Sequence, residues 1–561
     1  MSAARRRGAL LLACLASAAL LAGCAFLPPP AHLLVLVALV PWLAALDRAR
    51  TARGALAAGA ALAAAFMLAA LGWFADAVAR FTGWPRPAAW LALALLAPLL
   101  QPQLPLAALA RHAARAGGAH PIRGALALAL AWTAVESLVP KLLGDTLGLA
   151  FAPAPWLRQA ADLAGATGLT AGALAVNELL LALARAGLAP GPGGRLRRAA
   201  LPAGALAALL LAWGGYGAAR LRQLAGAPDR PTVTVGVVQS NLVAYDRLAR
   251  ERGRYAVVRE VLDVHQGLSQ ALVERGAVDL LVWPETVYPT TFGAPQSADG
   301  AALDQELEAF ARREGVPLAF GAYEAGPGAE YVSAFFLQPG VGGLARASYR
   351  KAHLFPLTEW APGPLSGALA RRLLPWLGGW TPGPGPQVVP LQVAGRPLRV
   401  GPLLCYDAVR PEHAAAEARA GAELLLALSN DAWFDGGPGS RLHLAVARLR
   451  AVETRLPLAR AAPSGISAVI EPSGEVAAAA AVGERAALAV ELTPGRAVDA
   501  PFLWLGPWLG PAALLGLAAV LGSSMRPRSG VGAPAKPGEG RQPLGGGQRA
   551  RPKAAARSAP P

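Results

Sequence analysis

Cysteine is scarce in this sequence: its 561 residues include three, Cys14, Cys24 and Cys405. Three cysteines cannot build a disulfide framework, and no spacing among them matches a metal site. The seven histidines are scattered without a ligand pattern, so neither a metal nor a cofactor is expected. Charge is also sparse. Charged residues are 16% of the chain, against about 25% in soluble globular domains, which excludes a wholly water-exposed protein. Acidic residues are the scarcer sign, with 35 Asp and Glu against 52 Lys and Arg and a net charge of +17. A nucleic-acid binder would interleave that positive charge with stacking aromatics on one domain. Here aromatics are 6%, and the basic residues gather at the ends of apolar runs and in the tail. No nucleic-acid partner is expected.

What the chain has in quantity is apolar sequence: 54% of residues and a mean hydropathy of +0.39. Runs near membrane length cover 9–27, 32–46, 54–74, 88–109, 124–138, 163–183, 199–216 and 502–521. Arg5, Arg6 and Arg7 precede the first run. Arg48, Arg50 and Arg53 follow the second, Arg111, Arg115 and Arg123 the fourth, and Arg185, Arg195, Arg197 and Arg198 the sixth. Arg526 and Arg528 follow the last. Eight spans put every basic connection on one side. The positive-inside rule then places both termini in the cytoplasm and the long mixed-polarity stretch in the periplasm. The expected organisation is a membrane domain of about seven transmembrane helices at 1–217, a periplasmic domain at 218–500, a C-terminal transmembrane helix at 501–524 and a disordered basic cytoplasmic tail at 525–561.

Two features of the membrane part admit two readings. Leu21-Ala22-Gly23-Cys24 has the form of a lipoprotein lipidation box, but a first span ending in Gly-Cys, turned by Pro28 to Pro30 into the next, is the preferred reading. Glu136 and Asp162 lie at the edges of spans, where charge is often functional. Exposure to water or a local hydrogen bond is preferred for both.

In 218–500, β-rich runs alternate with helical ones. Strands are expected at 232–238, 279–283, 317–323, 333–337, 345–350, 398–404, 423–428, 459–462, 466–470 and 487–492. Helices are expected at 252–273, 303–314, 412–419 and 442–455. This alternation is that of a layered α/β fold. Three polar residues fall just past apolar strands: Glu285 after Leu281-Val282-Trp283-Pro284, Lys351 after Tyr349-Arg350, and Cys405 after Leu403-Leu404. Carboxyl ends of strands are where open α/β sheets bind ligands. Taken singly, each residue has a plainer reading, as a core thiol or a solvated charge. Together they have a specific chemistry. A cation lowers the pKa of a thiol, a carboxylate takes its proton, and an ammonium stabilises the oxyanion of a tetrahedral intermediate. The resulting thioester is open to attack by an amine.

The residues around this trio carry a resemblance. Trp283-Pro284-Glu285, Tyr349-Arg350-Lys351 and Cys405-Tyr406-Asp407 resemble the Glu-Lys-Cys signatures of the nitrilase superfamily. The run from Leu354 to Pro362, together with Ser429 to Phe434, His443 and Arg448 to Glu453, resembles the apolipoprotein N-acyltransferases, the membrane-integrated branch. The likeness covers nearly the whole chain except the tail. It implies a multi-span α-helical membrane domain plus an α/β nitrilase-like domain built as an α-β-β-α sandwich. It implies acyl transfer from a phospholipid, usually phosphatidylethanolamine, to the α-amino group of a diacylglyceryl-cysteine apolipoprotein, at the bacterial inner membrane. By that resemblance Cys405 carries the thioester, Glu285 is general base and acid, and Lys351 supports the oxyanion. Glu359 organises the lysine, and Tyr406 and Trp433 are aromatic positions beside the pocket. Asp407 stands where the family usually has Glu, Thr358 where it commonly has Gly, and Ala462-Pro463-Ser464 in a stretch that is commonly Asn-rich.

Between Glu359 and Gln387, Leu373, Leu374, Trp376, Leu377 and Trp380 are expected to form an apolar arm at the lipid interface that gates acyl-chain entry, or else an ordinary packed loop. Two other functions fit parts of the sequence. A membrane-anchored amidase acting on small amides would share the chemistry, but an anchor needs one span. A non-catalytic lipid-binding scaffold would have no need of all three polar residues.

Overall fold

The computed structural model describes residues 3–525 apart from 116–120, 189–191, 229, 243–253, 277, 362, 364–366, 368, 370–371, 373, 435–436 and 497. The expected disordered tail lies outside the described residues, apart from Met525 at a helix end.

Each apolar run of the N-terminal part is helical. The first is α1 (Ala3–Phe26), one helix through Gly23 and Cys24 that stops at Pro28 to Pro30. The second run is broken, a 3-10 turn at Ala31–Leu36 followed by α2 (Val40–Leu46). The third is α3 (Ala52–Ala70), started by Thr51, whose side chain accepts from Gly54 N. A short helix the sequence reading did not separate, α4 (Gly72–Thr82), ends on Gly83 at φ +73°, the left-handed C-terminal stop that glycine adopts freely. The fourth run is two helices, α5 (Arg86–Leu100) and α6 (Gln103–Ala114), bent by 45° at the break. Pro98 and Pro102 near that break cannot donate backbone hydrogen bonds. Then follow α7 (Pro121–Leu138), α8 (Ala161–Gly187) and α9 (Pro192–Ala225). Among the described residues, five helices are long and apolar enough to cross a membrane, or six if the bent pair is one span. The run 32–46 is a shorter apolar element. On α5 the outward stripe Leu91, Leu95 and Leu99 is 60%, 70% and 75% exposed, the inverse of a soluble helix and the pattern of a lipid-facing one.

The second half is the expected α-β-β-α sandwich. Its first strands are β1 (Val233–Gln239), β2 (Leu280–Val282), β3 (Tyr288–Thr291), β4 (Leu318–Gly326), β5 (Ala329–Gly340) and β6 (Gly343–Arg350). With the final strand β13 (Ala486–Leu492) they form one sheet, ordered β13-β1-β2-β4-β5-β6, with β3 paired to β4. The second sheet holds β7 (Val389–Val393), β8 (Arg396–Leu404), β9 (Leu424–Leu428), β10 (Leu458–Ala461), β11 (Ala468–Ile470) and β12 (Val476–Ala479) in the order β12-β11-β10-β9-β8-β7. Strand alternation assigns the layers. Val233, Val235, Val237, Leu424, Leu426 and Leu428 share the core between the sheets. Val238, Leu281 and Trp283 face the opposite way, under α10 (Arg254–Glu274) and α11 (Ala298–Glu314). Leu425 and Ala427 meet α12 (Pro411–Arg419), and the same core includes Ala447 and Ala451 of α13 (Pro438–Thr454). Strands covered on both faces read as nearly continuous apolar runs, as β9 does.

The C-terminal helix α14 (Phe502–Met525) packs back on the helical part through Gly510 against Leu138 and Ser137. Buried polar bonds also fasten the halves together. Asp162 in α8 accepts from Arg455 Nη2 at 2.6 Å, from Arg220 Nε at 2.7 Å and from the Tyr216 hydroxyl at 2.6 Å. The hydrogen-bonded reading of Asp162 therefore holds. At the other end of the helices, Arg111 and Arg115 meet Asp47 at 2.9 and 2.6 Å, and Arg185 pairs with the same carboxylate.

Candidate active site

Strand direction brings the three polar residues together. β2 and β4 are parallel, and two antiparallel pairings turn β6 to the same direction, so β2 and β6 end on one side. Lys351 is the first residue past β6 and Glu285 lies three past β2. Lys351 Nζ donates to Glu285 Oε1 at 2.9 Å and to Glu359 Oε1 at 2.6 Å. Cys405 follows β8 in the facing sheet, and lines the same cavity as Glu285, Lys351 and Glu359. Its φ is +45°, a left-handed conformation that costs a non-glycine residue about 1–3 kcal/mol and persists where neighbours impose it.

Asp407 supplies that constraint. Its carboxylate accepts from Leu404 N at 3.1 Å, His353 N at 2.8 Å and the Tyr349 hydroxyl at 2.9 Å. One shortened side chain thus ties the end of the cysteine strand to the start of the lysine loop. It does not reach the thiol directly. The Tyr349 hydroxyl also lies 3.1 Å from His413 Nε2. His353, Asp407 and His413 bring ligand-type atoms within 4.8 Å of one another, although their sequence spacing shows no pattern.

Burial sets the protonation chemistry. It pushes Glu285 up to about 7, against the pull of the Lys351 ammonium. Burial also works against the charge on Lys351, but Glu285 and Glu359 outweigh it and hold the ammonium well above its ordinary range. The Cys405 thiol is raised by burial and by Glu285, while Lys351 and the backbone N–H of Asn430 pull it down less strongly. The resting thiol is therefore protonated, beside a carboxyl group able to gain or lose a proton near neutrality. The second oxygen of Glu359 accepts from Phe355 N at 2.7 Å, so one carboxylate holds both the Lys351 ammonium and the loop that follows it. Tyr406 lines the cavity, with its ring edge-on to Phe355 and its hydroxyl donating to Lys141 O at 3.3 Å. Trp433 belongs to the 3-10 turn Asp431–Phe434, and its side chain lies outside the described residues.

The cavity, about 360 Å³, has a polar part at Cys405, Glu285 and Lys351 and an apolar part from α4, α5 and the link between them, at Phe81, Trp84, Leu93 and Leu96. Sequence reasoning missed those helix residues because nothing local links an apolar stripe in the first hundred residues to a strand end three hundred residues on. The apolar arm divides. Leu374, Trp376 and Leu377 line the cavity, and Trp376 meets Trp84 edge to face at 5.9 Å. Trp380 packs instead on Tyr323 at 4.5 Å. Leu373 lies outside the described residues. His443 also borders the cavity and is anchored to Asp431 at 3.2 Å, which Arg460 holds through two bonds of 2.8 and 2.9 Å.

Two family profiles match the chain: a carbon-nitrogen hydrolase domain over residues 234–501 and an apolipoprotein N-acyltransferase N-terminal domain over residues 18–179. Among curated proteins, the apolipoprotein N-acyltransferase of Azotobacter vinelandii is 32% identical, with 72% of each chain covered. That of Rhizobium etli is 31% identical over 61% of each chain. That of Geobacter metallireducens is 30% identical over 61% of this chain and 62% of that one. The chain thus spans about three fifths of the length of several curated relatives it matches.

Proposed function

Because this chain belongs to the apolipoprotein N-acyltransferase family, we propose that it moves a fatty acyl group from a phospholipid to the N-terminal amine of a lipoprotein through a thioester on Cys405. The observation that carries this reading is one cavity joining Cys405, Glu285 and Lys351 to a long apolar lining from α4 and α5 of the helical part. A small-amide site has no use for that apolar lining.

Each step balances. Glu285 takes the thiol proton as Sγ attacks the ester carbonyl of the phospholipid. Lys351, fixed by Glu285 and Glu359, stabilises the oxyanion. The C–O bond breaks and Glu285 returns the proton to the departing lysophospholipid hydroxyl. In the second half the lipoprotein amine attacks the thioester. Its proton passes to Glu285 and then to the departing thiolate, leaving an amide and a free thiol. Phosphatidylethanolamine is the donor proposed from the family resemblance, and a diacylglyceryl-cysteine lipoprotein the acceptor. The test is mass spectrometry of the Cys405 peptide after incubation with phospholipid. An acyl adduct that is absent in Cys405→Ala and cleared by a lipopeptide amine is expected. No adduct in the unaltered chain sinks the thioester mechanism.

We also propose an inner-membrane location with the sandwich on the periplasmic side. The convergence of Arg111, Arg115 and Arg185 on Asp47 supports this, since it gathers the basic connections at the end of the helices opposite Asp162 and Arg455. Ser297 is exposed on the sandwich. In cells with a permeabilised outer membrane, Ser297→Cys should react with a membrane-impermeant maleimide. Labelling only after the inner membrane is broken would reverse the orientation.

A further inference from the structure

A second cavity of about 360 Å³ lies on another face of the helical part, between the α7 end, α8, the outer helices of the sandwich and α14. Nothing in the proposed acyl transfer uses it. One wall is the break in α8, where Ala164 and Gly165 leave helical geometry, with Gly165 at φ +64°. The long segment that follows begins a second time at Ala166 and Thr167, both bordering the cavity. A helix start presents N–H groups and positive potential. Glu453 accepts from Ala166 N at 3.0 Å. Arg450 in turn donates to Glu453 from Nη2 at 2.9 Å, and its Nε lies 2.9 Å from the other carboxylate oxygen without a hydrogen bond. Arg450 is 3% exposed, and its Nη1 has no hydrogen-bond partner.

The same cavity contains the opposite need. Glu136 borders it with a side chain 2% exposed, and neither carboxylate oxygen has a partner in hydrogen-bond geometry. Thr170 and Trp132 lie beside it, and the Lys141 ammonium is 3.8 Å away. Buried polar groups without partners are rare in native proteins and ask for an explanation. The remaining charges around the cavity are already engaged. Arg410 pairs with Glu412 at 2.9 Å and Arg419 donates to Leu503 O at 2.7 Å. The lipid-side rim is apolar, from Leu138 and Val139 to Pro507 and Leu509 of α14.

We propose that this cavity binds the headgroup of an amine-bearing zwitterionic phospholipid, with the phosphate at the α8 restart and Arg450 and the ammonium at Glu136, as a lipid site separate from the Cys405 cavity. An anion site beside a buried carboxylate with no hydrogen bond of its own, its nearest cation 3.8 Å away, matches a phosphate tethered to an ammonium. The apolar rim favours a lipid over the free headgroup.

The test is native mass spectrometry of the full chain in detergent, titrated with dioleoyl-phosphatidylethanolamine, the matching phosphatidylglycerol, free phosphoethanolamine and inorganic phosphate. The Cys405 cavity accounts for one lipid adduct, so the second is read. A second adduct that favours phosphatidylethanolamine over phosphatidylglycerol is expected. The near-isosteric Glu136→Gln should weaken it about tenfold. Leu509→Trp, which fills the cavity from α14 without touching a charge, should abolish it. Both variants should keep the first adduct, which reports an intact fold. No second adduct, an adduct unchanged in both variants, or one that favours phosphatidylglycerol would overturn the proposal. So would saturation of the site by phosphoethanolamine or phosphate alone at the lipid's concentration, which would mark an anion site rather than a lipid one.

Discussion

Glu285 is where pH should act. To accept the thiol proton it must be ionised, and burial raises it to about 7. A raised carboxyl is ionised only above that value, so thioester formation should be lost on the acid side. At pH 6 its rate should be about a tenth of the plateau reached above pH 8. Glu285→Gln should cost about 10²–10⁴-fold and flatten the profile. Single-turnover labelling of Cys405 with a lipid acyl probe between pH 5.5 and 8.5 measures both. An acid limb that survives in Glu285→Gln would assign the titration to another group. At this scale the trio was legible in sequence because each member falls within three residues of a strand end with distinctive flanks. Asp407 was not. Its three partners include the His353 N–H, just past a strand, and the Tyr349 hydroxyl on it, both more than fifty residues upstream, and only strand pairing delivers them.

Elements were legible where burial imposed a pattern. The strands buried on both faces, such as β9, were found because a short apolar run of strand length, set between turn signals, is too short for a buried helix. β7 was missed although its burial alternates strictly. Pro390, its second residue, argues against a strand, but β7 is the sheet's edge, where a missing donor is tolerated. The apolar arm gives a prediction at this scale. Trp376 closes on Trp84 over the acyl cavity, whereas Trp380 stacks on Tyr323 outside it. Trp376→Ser should lower turnover of vesicle phospholipid severalfold at unchanged thermal stability. Trp380→Ser should lower the unfolding temperature, with a loss of about 1–3 kcal/mol, more than it lowers turnover at low temperature. Equal effects of the two on turnover would remove the gating role. A parallel vesicle assay and thermal scan decide it.

The whole molecule depends on a joint between its halves. Asp162 and Arg455 are each fully buried and bonded to one another, with Arg220 and Tyr216 on the same carboxylate. Asp162→Asn leaves Arg455 buried without its counter-ion, a loss of about 3–5 kcal/mol. The unfolding temperature should fall by several degrees, while Cys405 labelling well below that temperature stays near normal. An unchanged unfolding temperature would mean the joint carries no stability. The sequence by itself determined the amphipathic layers, the apolar helices and the trio, because these are local: periodicity, strand ends and flanking residues all lie within a few positions. Only the tertiary structure decided that Cys405 opens onto α4 and α5, that the basic connections converge on Asp47, and that Glu136 and Arg450 share one cavity. Those are contacts between segments far apart in the chain, and no local pattern encodes which buried surfaces will meet.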